Sequence, residues 1–177
     1  MDVNSILYDL QELYEPLIEE RGQLLTVEIS KPMKFFADRD MLFQAFANLL
    51  DNAIKYTPKE GEISIRSYHQ GGLWHVEISD NGPGIPEHEY EKVVQRFYRL
   101  DQSRTTPGSG LGLALVFAVL KVHKLKLAFE DNNPGLKVLI SADPKKVGAG
   151  SKYAGELANQ SNEDEDIETP TVEQVLA

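Results

Sequence analysis

The stretch from Leu42 to Tyr56 carries two patterns at once, and together they restrict how the chain can fold. At about 100° per residue, Leu42, Phe46, Leu49, Leu50, Ala53 and Ile54 gather on one arc of a helix. With Asn48 set at zero, Asn52 lies about 40° away, Lys55 about 20° on the other side and Tyr56 about 80° round. One face therefore serves a core. The other orders two amides, an ammonium and a phenol. That polar face suits a metal ion with a polyphosphate, and it equally suits plain solvent. Asp38 or Asp40 is placed to cap the start of the helix, and Pro58 and Gly61 to end it.

The remaining elements alternate around this helix. Ile6, Leu7, Leu10, Leu13, Tyr14, Leu17 and Ile18 have helical spacing, stopped by Gly22. LLTVEI (24–29) reads as a strand, and residues near 33–37 as a short second one. EISIRSYHQ (62–70) and LWHVEIS (73–79) alternate and meet at Gly71-Gly72, a hairpin signal. DNGPGIP is a loop, EHEYEKVVQRF a short helix and LDQSRTTPGSG (100–110) an aperiodic loop. GLALVFAVLKVHK is a strongly apolar helix, and 125–131 and 136–142 are strands separated by the turn residues NNPG. The expected class is α+β: a two-layer α/β sandwich with a mixed, mostly antiparallel sheet covered on one face by helices.

Bulk properties exclude several functions. With 177 residues, 41% of them hydrophobic, the chain suits one domain and a tail. It has no cysteine, which rules out disulfides and thiolate metal sites. The net charge of −10 argues against nucleic-acid binding. No apolar run approaches the roughly 20 residues needed to span a bilayer, and no signal-peptide pattern opens the chain. The expectation is a cytoplasmic segment with no membrane insertion of its own, a membrane anchor on a longer parent protein being compatible with it. The domain is expected over 1–142. Residues 143–177 hold Asp143, Glu156, Glu163, Asp164, Glu165, Asp166, Glu168 and Glu173 against three lysines, a net −5. They lack a sustained apolar pattern, so a disordered acidic tail is expected.

Three further motifs carry chemistry. In DNGPGI (80–85), Asp80 ends a strand where it can accept a hydrogen bond from an amine, and Gly82 and Gly84 let the backbone approach a flat ligand. The same residues also make generic turn chemistry. GSGLGLAL (108–115) opens the apolar helix. Gly108, Gly110 and Gly112 leave amides free for phosphate oxygens there, or simply allow tight packing. RFYRL (96–100) sets Phe97 and Tyr98 between two arginines, residues whose fork of donors fits phosphate.

In this order, the asparagine-bearing helix, DNGPGI, RFYRL and GSGLGL resemble the N, G1, F and G2 boxes of the catalytic ATP-binding (HATPase_c, GHKL-type) domain of bacterial two-component sensor histidine kinases. The resemblance covers about residues 1–142 and implies the Bergerat ATP-binding fold. It implies that Asn48 and Asn52 hold Mg²⁺ against the phosphates of ATP, and that Lys55 neutralises phosphate charge. Tyr56 would lie near adenine or ribose, Asp80 would accept the adenine amine, and Gly82, Gly84 and Ile85 would shape that pocket. Arg99, with Arg96, would meet the γ-phosphate. Phe97 would anchor a lid over 100–109, and Gly108, Gly110 and Gly112 would cover the phosphates with Leu111 and Leu113 behind. The family's hydrolysing relatives carry Glu where Asn48 stands. Asn cannot act as a general base, so transfer to an external nucleophile is implied rather than hydrolysis. Asp51, about 60° from Asn48, is a candidate substitute base, but that angle suits a solvated carboxylate better.

The family's phosphoacceptor histidine sits on a separate helical dimerisation domain, and none of His69, His75, His88 or His123 has its context. His123 is followed by Lys-Leu where the family commonly has Gly-Gly. The implied partners are therefore a histidine-bearing dimerisation domain and, downstream, a response regulator. Two rival readings are a stand-alone anti-sigma-factor-type serine kinase, which shares the N and G boxes, and a degenerate nucleotide-binding interaction module.

Overall fold

The computed structural model describes residues 2–100 and 109–147. Helix α1 (Val3–Glu20) leads into strand β1 (Leu24–Ile29), helix α2 (Arg39–Tyr56) and the hairpin β2 (Glu62–Gln70) and β3 (Leu73–Asp80). After the 80–100 segment come α3 (Gly112–Val122), β4 (Lys126–Asp131), β5 (Leu136–Ala142) and a last turn of helix, α4 (Pro144–Val147). Of the two offered caps it is Asp38 that starts α2, its carboxylate accepting from Met41 N–H at 2.9 Å.

The five strands run in the order β1-β2-β3-β5-β4. Only β1 and β2 are parallel, because α2 carries the chain between them; the other neighbours are antiparallel. Alternation sends Ile63 and Ile65, Val76 and Ile78, and Val138 and Ile140 to one face, where they meet Leu42, Phe46, Leu49 and Leu50 of α2 and Val116 and Leu120 of α3 in a common core. This is the α+β sandwich expected. Gly71 and Gly72 both take the left-handed backbone (φ +60 and +77) that a tight two-residue hairpin needs. The same parity matters for function. Asp80 is two residues beyond Ile78, so it ends β3 on the helix-covered face and is 8% exposed.

Three expectations are corrected. Residues 33–37 form no strand beyond one isolated bridge between Asp2 and Lys34. Met33 and Phe35 are instead buried in the core. The stretch 87–97 is not a helix but a 3-10 turn at Glu87–Glu89 followed by further turns. Val93 is its only fully buried side chain, too little apolar face to hold a short helix. The packed fold also continues past residue 142, since Val147 of α4 is 4% exposed and joins the core. The expected disordered tail, from 148 onward, lies outside the described residues. No helix among the described residues is long and apolar enough to cross a membrane.

The C-terminal end of α2 is held by the α1–β1 junction. Buried Gln23 donates its amide to the carbonyls of Ile54 (3.0 Å) and Thr57 (2.8 Å), and Arg21 donates to Ile54 O as well. Gln23→Ala would leave the Thr57 carbonyl unpaired while Arg21 still holds Ile54 O, and one such buried group at about 1–3 kcal/mol sets the scale. The expected loss is about 2 kcal/mol in urea unfolding; a loss under ~0.5 kcal/mol would contradict this role.

Candidate functional site

The polar face of α2 forms one wall of a cavity of about 400 Å³. That size falls in the range of about 300–1,000 Å³ common for small-molecule sites. From α2 come Asn48, Asn52, Lys55 and Tyr56; from the end of β3 and its loop, Asp80, Pro83, Gly84 and Ile85. Arg99, Ser109, Gly110, Gly112 and Leu113 close the opposite side. Chain segments far apart in sequence thus meet because β3 delivers Asp80 beneath α2, and α3 lies antiparallel along α2, beginning beside Asn48.

The wall is chemically divided. At one end Asn48 donates its Nδ2 to Gln44 O of its own helix (2.9 Å), which turns Oδ1 toward α3. A Cβ on Gly112 would come within 3.1 Å of that oxygen, so the α3 entry can approach only because residue 112 has no side chain. No side chain caps this end of α3, which leaves its first amides available to an anion. Lys55 Nζ lies 4.8 Å from the Tyr56 ring centroid, held along it as a cation on an aromatic face. At the other end, Ile78, Ile85, Val93, Leu136 and Val138 make an apolar slot around one carboxylate, Asp80. Asp80 Oδ1 accepts from Gly82 N–H (2.8 Å) and Leu136 N–H (3.4 Å). Burial pushes its pKa above the ordinary value, partly opposed by those two donors.

Several expected residues stand elsewhere. Gly82 is behind the wall, where its missing side chain lets the loop lie against Tyr56 O. Arg96 is exposed, and Phe97 is 73% exposed. Its neighbour Tyr98 takes the cavity side instead and donates its hydroxyl to Glu89. Leu111 is the residue before α3 and is not in the lining. Of the lid expected over 100–109, Leu100 and Ser109 line the cavity, and residues 101–108, Gly108 among them, lie outside the described residues. Asp51 faces away, toward the Tyr14 hydroxyl of α1, whose pKa rises to about 12 through burial first and then that carboxylate. The missed residues Ile78 and Val138 had a signal in strand parity, since they are paired neighbours on the face that ends at Asp80.

The histidines are structural or exposed. His123 ties α3 to the start of α2, accepting from Asp38 N–H at Nε2 (3.0 Å). His75 is bonded to Ser141 (2.9 Å), His69 packs edge-on against Trp74, and His88 is exposed.

Residues 37–152 match the family model described as histidine kinase-, DNA gyrase B-, and HSP90-like ATPase. The chain belongs to this family. Among its members, the adaptive-response sensory kinase SasA of Synechocystis sp. is 37% identical over 123 residues, 68% of this chain and 32% of SasA. The histidine-protein kinase/phosphatase MprB of Mycolicibacterium smegmatis is 47% identical over 102 residues, 56% of this chain and 20% of that protein. The chain thus spans about a third and a fifth of these relatives. A solved mycobacterial sensor histidine kinase MprB superposes with a TM-score of 0.68 at 31% identity, covering 80% of this chain and 93% of that one. Within the ATPase family, the chain corresponds to the ATP-binding catalytic domain of sensor histidine kinases.

Proposed function

We propose that this domain binds Mg·ATP in the α2 cavity and presents the γ-phosphoryl group to a histidine carried on a helical dimerisation domain, with a response regulator as the later acceptor. The observation that carries the reading is the pairing of Asn48 Oδ1 with the α3 entry at Gly112, at the opposite end of the cavity from Asp80. One end suits phosphates and the other a flat base bearing an amine.

The donor set fits a magnesium ion of the kind the family implies. Among the described residues no group of three or more His, Cys, Asp or Glu could hold a metal. Ligation here would rest on the amide oxygens of Asn48 and Asn52 together with phosphate and water oxygens, the hard ligands Mg²⁺ prefers. Bound there, the ion would offset phosphate charge. Lys55 and Arg99 add positive charge to the cavity wall. The amides near Gly110 and Gly112 orient the phosphates, and the slot around Asp80 holds the base. Phosphoryl transfer asks for this positioning and charge neutralisation above all. With an amide rather than a carboxylate at residue 48, the site has no base on α2 to activate water, which favours transfer over hydrolysis.

Calorimetric titration of the 177-residue chain with ATP, with and without Mg²⁺, tests binding. Addition of a purified histidine-bearing helical hairpin and γ-labelled ATP tests transfer. The expected result is Mg²⁺-dependent binding, no self-labelling, and acid-labile label on the hairpin. Absence of nucleotide binding would overturn the proposal; binding followed by release of free phosphate in place of transfer would refute the kinase part.

A further inference from the structure

The carbonyl of Asp80 lies where the sheet runs out. The β3–β5 ladder ends at the pair Ser79 and Lys137, so Asp80 has no strand partner on that side. Its carbonyl oxygen is taken instead by a side chain 52 residues away: Asn132 in the β4–β5 turn donates Nδ2 to Asp80 O at 2.8 Å. The turn is itself closed, with Asn132 N–H donating to Gly135 O at 3.1 Å and Asn133 N–H to the Asp131 carboxylate at 3.0 Å. Asn132 is therefore set by backbone, not free to follow Asp80.

Gly135 presses the same point from the other side. It has φ +117, a conformation that favours glycine, and a Cβ there would overlap Asp80 O. A Cβ on Gly84 would in turn come within 2.7 Å of Gly135 O. The turn, Asp80 and the 81–85 loop are stacked with no slack. The next residue, Leu136, gives its N–H to Asp80 Oδ1, and Gly82 gives its own to the same atom. Both contacts fall on Oδ1, so Oδ2 is the oxygen left for a ligand. Its direction follows from the backbone that Asn132 fixes.

We infer that the β4–β5 turn sets nucleobase selection, with Asn132 as a positioning residue that aims the Asp80 carboxylate at the exocyclic amine of a purine without touching the ligand. The inference rests on reading Asp80 as the amine acceptor. Loss of the Asn132 donor leaves a buried carbonyl unpaired and removes one of the contacts that fix the Asp80 backbone, weakening the one ligand contact that depends on carboxylate direction. Phosphate contacts at the far end of the cavity do not share this dependence.

Equilibrium binding of Mg·ATP and Mg·ITP to the whole chain separates the two effects, because inosine carries a carbonyl where adenine carries the amine. In Asn132→Ala, affinity for ATP is expected to fall about tenfold, while affinity for ITP stays within about twofold, so the preference for ATP collapses. Asn132→Asp keeps the shape and replaces the donor with an acceptor; it should do the same, and it decides the matter if Asn132→Ala does not fold. Equal losses for ATP and ITP, or an unchanged ratio, would overturn the inference in favour of a purely structural turn. A wild-type chain that binds both nucleotides equally well would refute the role of Asp80. A wild-type chain that binds neither would instead refute the function proposed above.

Discussion

Asp80→Asn is expected to abolish the preference for adenine while leaving the fold as stable as before or more so. Asparagine can keep its Oδ1 on the Gly82 and Leu136 amides. It then turns an NH₂ toward the ligand, where a donor would face the donor of the base. A buried donor without a partner costs about 1–3 kcal/mol, so ATP affinity should drop by roughly tenfold to a hundredfold and discrimination against GTP should vanish. Stability moves the other way. Burial raises the Asp80 pKa, so the folded state takes up its proton more readily than the unfolded chain, whose value is near 3.8. The ionised carboxylate therefore destabilises the apo fold at neutral pH. That penalty fades as pH falls through the raised value and is gone below the unfolded one. Thermal melts without nucleotide should show Asp80→Asn no less stable than wild type at pH 7, with the gap closing toward pH 4. A variant that melts well below wild type, or one that still prefers ATP over GTP, would contradict the assignment.

The second large effect is expected at the phosphate end. Asn52→Asp places a negative charge on the wall that faces Gly112, with residue 52 Nδ2 now 4.0 Å from where a Cβ on that glycine would stand. A carboxylate brought beside a phosphate repels it, by about 4 kcal/mol for unit charges about 4 Å apart at an effective dielectric of 20. Bound magnesium would offset part of this. A loss of about tenfold to a hundredfold for Mg·ATP is expected, with a larger loss for ATP in EDTA. Asn52→Ala, which removes the amide without adding charge, should lose less. Titrations in which Asn52→Asp binds as tightly as wild type would remove residue 52 from the phosphate site.

Much of this arrangement can be read from residue order. The two arcs of α2, the hairpin at Gly71-Gly72 and the strand that ends at Asp80 are local patterns, and local patterns survive folding when a core rewards them. The wall made by Asn48, Asn52, Lys55 and Tyr56 followed from one helical period. What periodicity does not carry is which face a turn presents. RFYRL has two aromatics side by side, and only packing puts Tyr98 inward and Phe97 out. The stretch 87–97 has helix-forming residues but only Val93 to bury, so it stays as turns. Asn132 and Gly135 looked like ordinary turn residues because their partner lies more than fifty positions earlier, and no local rule connects NNPG to the end of β3.

The bond from Gln23 to the last turn of α2 bears on where this unit begins. The stretch matched by the family model starts at residue 37, beyond α1 and β1. Yet Val3, Ile6, Leu7, Leu10 and Ile18 are buried, and the carbonyls of Ile54 and Thr57 are held from residue 23. A fragment trimmed to the matched boundary would strip a sheet edge and bare an apolar helix flank. It would also unfasten the very turn that bears Lys55 and Tyr56. The wall that carries Lys55 and Tyr56 thus depends on packing from α1 and β1, outside the matched stretch.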